Sequence, residues 1–290
     1  MKLSVIIPAC MEPHLQKTVD SMLKTSELGS ELEIITILDG SWQRVDLRYD
    51  PQVKVIQFEQ NQGMRAAINA GISEAKGEFI LKVDAHCAFG PGFDRIMIDN
   101  CERDWVMVPR RYSLSEDRWG RDRRHGAIDY HYLNYPTLTV NYGYAMTPHA
   151  WPMKSDSEID DLMTYQGSCW MVNREYFLSH FGLLDERPDT YGRFSNEQVE
   201  VGLKYWLSGG QVKINKKTWY AHLAKTARHY AAEQYDRGYK INDQNMQNYT
   251  WVAKHWTNNR EPNMVHPFSW LIEKFWTVPG WPADRNLWRI

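Results

Sequence analysis

The stretch NQGMRAAINAGISEAKGEFILKVDAHC, residues 61–87, holds a helix, a strand and a candidate site in that order. Met64 to Ala75 is alanine-rich and stops close to Gly77, as a helix closed by a nearby glycine does. Residues 78–83 form a short apolar run with the length of a buried strand. Asp84 and His86 follow at its end. In extended backbone, residues two apart point the same way, so one carboxylate and one imidazole converge on a point. Such a pair suits a divalent cation that bridges two phosphate groups. A bare Asp-x-His is a weak signal, and its surroundings decide its weight.

Similar apolar runs at residues 3–8, 33–38 and 53–58 read as further strands. Leu15, Val19, Met22 and Leu23 fall at i, i+4, i+7 and i+8, which predicts a helix between the first two. This alternation implies an α/β fold with a mostly parallel central sheet flanked by helices and right-handed crossovers. Ligands in such sheets bind beyond the carboxyl ends of the strands, where Asp84 and His86 stand. Trp105 to Val108 reads as another strand, and Arg110 to about Asp161 as loops and irregular insertion without clear periodicity. Order resumes at SCWMV (168–172), in a helix from about Asn196 to Leu207, and in the strand QVKIN (211–215).

A chain of 290 residues can bury one large α/β core, or a core domain with an elaborated tail, whereas two full domains would be cramped. A net charge of -2 and a pI near 6.6 exclude a global basic field, so nucleic-acid or membrane binding would need a local patch. Cys10, Cys87, Cys101 and Cys169 are widely spaced and form no C-x-x-C pair, the usage of a reducing compartment. No stretch has the length and apolarity to span a bilayer and no leader is evident, so the expectation is a soluble, cytoplasmic protein without a membrane partner. Oligomeric state is not legible.

Several side chains admit two readings. Asp39 ends a strand before Gly40, where a carboxylate can meet a base or ribose, or can form an Asx turn. Arg65 opens the alanine-rich helix, where it can face an anionic or carbonyl-rich ligand, or solvent. Glu197 and Glu200 are three apart on a helix and can address one side, or can decorate a solvated helix start.

SVIIPACME (4–12), EIITILDGS (33–41), residues 61–87 and GLLDERPDTYGRFSNEQVEVGLKYWLSGGQV (182–212) resemble the consecutive motifs of the polypeptide N-acetylgalactosaminyltransferases and the wider GT-A superfamily. The likeness covers about residues 1–225 in the family's order. It implies a GT-A (Rossmann-like) glycosyltransferase fold, with a catalytic domain at 1–223. Residues 1–108 or so would be its nucleotide-binding half and about 109–223 its acceptor and sugar half. Residues 224–290 would be an aromatic-rich extension packed on the core.

The resemblance further implies a Mn2+ (or Mg2+) site formed by Asp84, His86 and His222. His222 is identified by its place after the family's W-x-x-G-G block, here Trp206, Gly209 and Gly210. A UDP-sugar donor would be held by Pro8, Ala9, Glu12, Asp39, Arg65, Asp84 and Trp170, although Trp170 has simple packing as its alternative. Asp84, Glu197 and Glu200 would carry the catalytic roles. The family's W-G-G-E-N-x-E motif has no glycines here: Ser195 and Asn196 replace them, which leaves the sugar undetermined. Transfer to a hydroxyl of a larger acceptor would retain the anomeric configuration. The alternatives are an inverting GT-A transferase with Glu197 as base and a nucleotide-sugar-binding protein without turnover. Signal anchor and lectin domain, usual in the family, are not seen, as in a stripped-down relative. RRYSLSEDRWGRDRRH (110–125) holds six arginines against three acids. Through Arg110–Arg124 it suggests hydroxymethylated DNA as an acceptor beside protein or glycan hydroxyls, with an exposed charged loop as the alternative.

Overall fold

The computed structural model describes residues 1–40, 47–139, 143–194, 196–224 and 241–290. Its first hundred residues run β1 (Leu3–Ala9), α1 (Leu15–Thr25), β2 (Leu32–Asp39), β3 (Val53–Phe58), α2 (Met64–Glu74), β4 (Phe79–Val83), β5 (Cys87–Phe89) and α3 (Phe93–Asp99). There follow β6 (Trp105–Ser115), β7 (Gly120–Arg121), β8 (Tyr130–Leu133), β9 (Thr137–Thr139), β10 (Gly143–Ala145), β11 (Pro148–Trp151) and β12 (Ile159–Asp161). The chain continues through β13 (Cys169–Asn173), α4 (Arg174–His180), α5 (Glu197–Leu207), β14 (Gln211–His222), α6 (Ile241–Thr257) and α7 (Phe268–Lys274).

The main sheet has the order β12-β14-β6-β13-β4-β1-β2-β3, with β5 added to β14 and β7 to β6. Pairs β1–β2, β2–β3, β1–β4 and β6–β14 are parallel. β13 runs antiparallel between β4 and β6, so the sheet is mixed. That reversal matters for the site, because the chain enters β13 at the carboxyl end of β4 and brings residues 166–168 beside Asp84. The Asp84 N–H donates to the Ser168 carbonyl at 2.9 Å.

Side-chain alternation along the strands builds a core on each face. Ile6, Ile37 and Ile80 face the layer that holds Ile68 and Ile72 of α2 and Val199 and Leu203 of α5. Val5, Ile34 and Leu81 face the layer that holds Val19 and Met22 of α1 and Phe93 of α3. The C-terminal region joins the first core through Trp256 of α6, Leu271 of α7, Trp281 and Trp288. Trp281 Nε1 also donates to the Leu133 carbonyl at 2.8 Å.

The expectation of loops from Arg110 to Asp161 is corrected: β6 continues to Ser115, and β7 to β12 lie within the stretch. These strands are two to four residues long and pair in small antiparallel ladders, too short to write a period into the sequence. β14 likewise runs past QVKIN to His222, crossing a register shift between Asn215 and Trp219. All four cysteines are free thiols. Among the described residues no helix is long and apolar enough to cross a membrane.

Candidate metal centre and donor site

Asp84 leaves the end of β4, His86 lies two residues on, and β5 then pairs antiparallel with the end of β14, setting His222 opposite Cys87. The Leu223 N–H donates to the His86 carbonyl at 3.1 Å and fastens the two ends together. Ligand atoms of Asp84, His86 and His222 consequently lie within 4.8 Å of one another. His222 Nε2 is 3.3 Å from Asp84 Oδ2, and the two imidazole centroids are 4.8 Å apart.

The donor chemistry of these three groups fits a divalent cation. Both ring nitrogens of His222 are buried and neither makes a well-formed hydrogen bond, and a bound cation would engage one of them. Burial pushes the His222 pKa down to about 4 against the opposing pull of Asp84, so the ring is neutral at physiological pH, the form that ligates. His86 Nδ1 lies 3.0 Å from Glu12 Oε2, an orienting carboxylate that leaves Nε2 for the cation. Burial alone would raise the Asp84 carboxyl, but Lys82 and His222 outweigh it and hold the group well below the usual carboxylate range.

Lys82 is the residue that sequence reading missed. It sits within the apolar run FILKV, wholly buried, with Nζ 2.5 Å from Asp84 Oδ1, 2.7 Å from the Gly167 carbonyl and 3.5 Å from Glu197 Oε1. Burial would lower this ammonium, yet Asp84 and Glu197 more than offset it and leave the pKa raised. The signal available was a charge in a strand otherwise buried on both faces.

The other expected residues divide. Glu197 opens α5 beside the metal cluster, 3% exposed, and its Oε1 fills the space that a Cβ at Gly167 would need. Asn196 takes the left-handed conformation (φ 57°) at a position where the family carries glycine, a backbone that asparagine tolerates. Ser195 lies outside the described residues. Glu200 points instead into the protein, where it pairs with Arg65; both side chains are fully buried. Arg65 also donates from Nε to the Asp185 carbonyl at 2.6 Å and lies over the Tyr191 ring. It thus joins α2 to α5 as a buried ion pair and does not lie on the solvated surface.

Asp39 accepts hydrogen bonds from the Gln62 N–H (2.6 Å), the Gly63 N–H (2.9 Å) and Asn61 Nδ2 (2.9 Å), and so fixes the loop entering α2. Trp170 is fully buried in the core on β13, opposite Lys82. Pro8 and Ala9 end β1, one strand from β4, at the same edge as Asp84.

Residues 4–181 match the sequence family described as Glycosyl transferase family 2. The chain belongs to glycosyl transferase family 2. Among curated members of related sequence, human polypeptide N-acetylgalactosaminyltransferase 9 is 26% identical over 199 residues, covering 65% of this chain and 30% of that protein. Cattle polypeptide N-acetylgalactosaminyltransferase 6 is 25% identical over 231 residues, covering 73% and 35% respectively. The chain therefore spans about a third of the length of these relatives. In three dimensions this family 2 chain superposes on the crystal structure of GalNAc-T7 with UDP, GalNAc and Mn2+ at a TM-score of 0.67 and 19% identity, over 89% of this chain and 49% of that one. The S. aureus TarS 1–349 complex with UDP-GlcNAc gives 0.53 at 15% identity, over 89% and 73%. Both likenesses agree on the GT-A-like α/β fold.

Proposed function

We propose that this family 2 chain is a divalent-cation-dependent glycosyltransferase that moves a sugar from a UDP-sugar to a hydroxyl of a larger acceptor. The observation that carries this reading is the convergence of Asp84, His86 and His222 at the carboxyl end of β4. A divalent cation bound there supplies positive charge against the negative charge that develops on the departing diphosphate. The chain's own residues do the rest: Glu12 orients His86, Lys82 restrains Asp84, and Glu197 is held beside the cluster to accept hydrogen bonds from sugar hydroxyls. Arg65, Glu200 and Asp39 act one layer back, by fixing α2, α5 and the loop between β3 and α2.

Retention of configuration is the stereochemistry we favour, because Glu197 is tied to a buried ammonium and is poorly placed to take up a proton as base. Analysis of the product's anomeric proton tests this: an α-linked product from an α-linked donor is expected, and a β-linked product would establish inversion.

For the acceptor, a protein or glycan hydroxyl is favoured over hydroxymethylated DNA. Arg110 is committed to Asp129 and Arg124 to Asp122 through paired hydrogen bonds, and Arg121 lies over the Tyr112 and Trp219 rings. Arg110 and Arg124, already paired with carboxylates, add little to a phosphate-tracking field. Incubation of peptide, glycan and hydroxymethylated-DNA acceptors with a panel of UDP-sugars and Mn2+, read by mass spectrometry, tests the whole reading. A gain of one sugar mass on a peptide or glycan is expected. Labelling of DNA alone would reverse the acceptor choice, and bound UDP without turnover would identify a nucleotide-sugar-binding protein.

A further inference from the structure

We propose that Lys82 is a positioning residue for sugar transfer, one buried ammonium that holds the cation-side carboxylate Asp84 and the sugar-side carboxylate Glu197 as a single unit. The inference rests on the cation reading given above and deepens it.

Lys82 is the one fully buried lysine among the described residues. Taking an ammonium out of water is costly unless its donors are matched, and at this position an apolar side chain would serve the strand equally well. The charge is nevertheless present, and each contact it makes points toward the site. The three partners come from three separate elements: Asp84 from the end of β4, Gly167 from the turn entering β13, and Glu197 from the first turn of α5. Gly167 closes the arrangement from the other side, since any Cβ there would displace the Glu197 carboxylate. Asp84 Oδ1 is thereby occupied and Oδ2 is the oxygen turned toward His222. Without Lys82, Asp84 Oδ1 and Glu197 would lose the one ammonium that they share. A lysine needed only for folding would contribute to stability and leave transfer and the cation environment unchanged.

The test compares wild type, Lys82→Met, Glu197→Gln and the double variant. UDP release from the UDP-sugar gives kcat and KM, and electron paramagnetic resonance of Mn2+ with UDP reports the cation environment. Lys82→Met should lower kcat by about 30-fold with KM changed less than about threefold, the signature of lost transition-state positioning. The bound Mn2+ spectrum should change shape as Asp84 is released. In the Glu197→Gln background the same substitution should cost less than about threefold, because the two residues act as one unit. Unchanged kcat and spectrum in Lys82→Met, or an equal loss in both backgrounds, would overturn the inference. Where Lys82→Met fails to fold, Lys82→Gln, which keeps an uncharged donor, carries the same expectations. Undiminished Mn2+ binding in Asp84→Asn would instead remove the cation reading itself, and Lys82's role with it.

Discussion

At the residue scale, the candidate centre combines groups with very different sequence signatures. Asp84 and His86 were legible because period-two geometry at a strand end makes them converge. His222 was not legible from spacing, since only the pairing of β14 with β5 brings it to the cluster; the family resemblance alone pointed to it. Gly167 makes a sharp test of the packing around Glu197. Gly167→Ala should lower kcat by at least about tenfold, the cost of misplacing a carboxylate proposed to contact the sugar, with a smaller effect on melting temperature. A loss of stability with unchanged kcat would show that Glu197 has room to move. His131, on β8, adds a pH dependence beside that of the similarly depressed His222. Burial, with help from Arg111 and His149, lowers its pKa to about 4 from the usual 6.5. Between those values the unfolded chain binds the extra proton, so stability is full above about pH 6.5 and falls as pH drops toward 4. The contribution at stake is up to about 3 kcal/mol. Urea unfolding at pH 7 and pH 5 should show a smaller loss for His131→Phe than for wild type; equal losses would exclude His131 as the source.

At the scale of elements, the buried Arg65–Glu200 pair joins α2 to α5 and sets their separation. Lys204 Nζ, 2.7 Å from Glu200, and the Asp185 N–H, 3.2 Å from it, complete the carboxylate's partners. Removing one member strands the other in a buried setting, so Arg65→Met should cost about 3–5 kcal/mol in urea unfolding. Replacing both, as Arg65→Met with Glu200→Met, should recover part of that loss; a double variant as unstable as the sum of the singles would contradict the coupling. α5 was readable from its apolar spacing and α2 from its alanine content and the glycine beyond it, but the buried pair was not, because charged residues at helix starts usually face water. The strands β1 to β4 were readable for the converse reason, being short runs rich in Val, Ile and Leu or Phe. The antiparallel entry of β13 leaves no local trace, since a fully buried strand reads the same in either direction.

At the scale of the whole molecule, the C-terminal residues are part of the catalytic core's packing. Trp281 reaches the Leu133 carbonyl, the Tyr135 hydroxyl donates to the Leu287 carbonyl at 2.8 Å, and Trp256 Nε1 donates to the Tyr191 hydroxyl at 2.9 Å. Tyr191 in turn lies under Arg65, so a path of contacts runs from α6 to the α2–α5 pair. The abundance of tryptophan in the second half was visible in the sequence; which rings packed and which lined a groove was not, since both need the same residue types. Trp281→Ala should cost about 3–5 kcal/mol and lower the melting temperature by about 10 °C. A shift under about 3 °C, the effect of losing only about 1 kcal/mol, would mean that this region contributes little to the core.

The proposed transfer depends on a cation at the end of β4. Titration of Mn2+ into the protein with saturating UDP, followed by electron paramagnetic resonance, tests it directly. One bound equivalent is expected for wild type, weakened at least about tenfold in each of Asp84→Ala, His86→Ala and His222→Ala, since each removes one of few ligands. No bound Mn2+, or binding undiminished in all three variants, would contradict it.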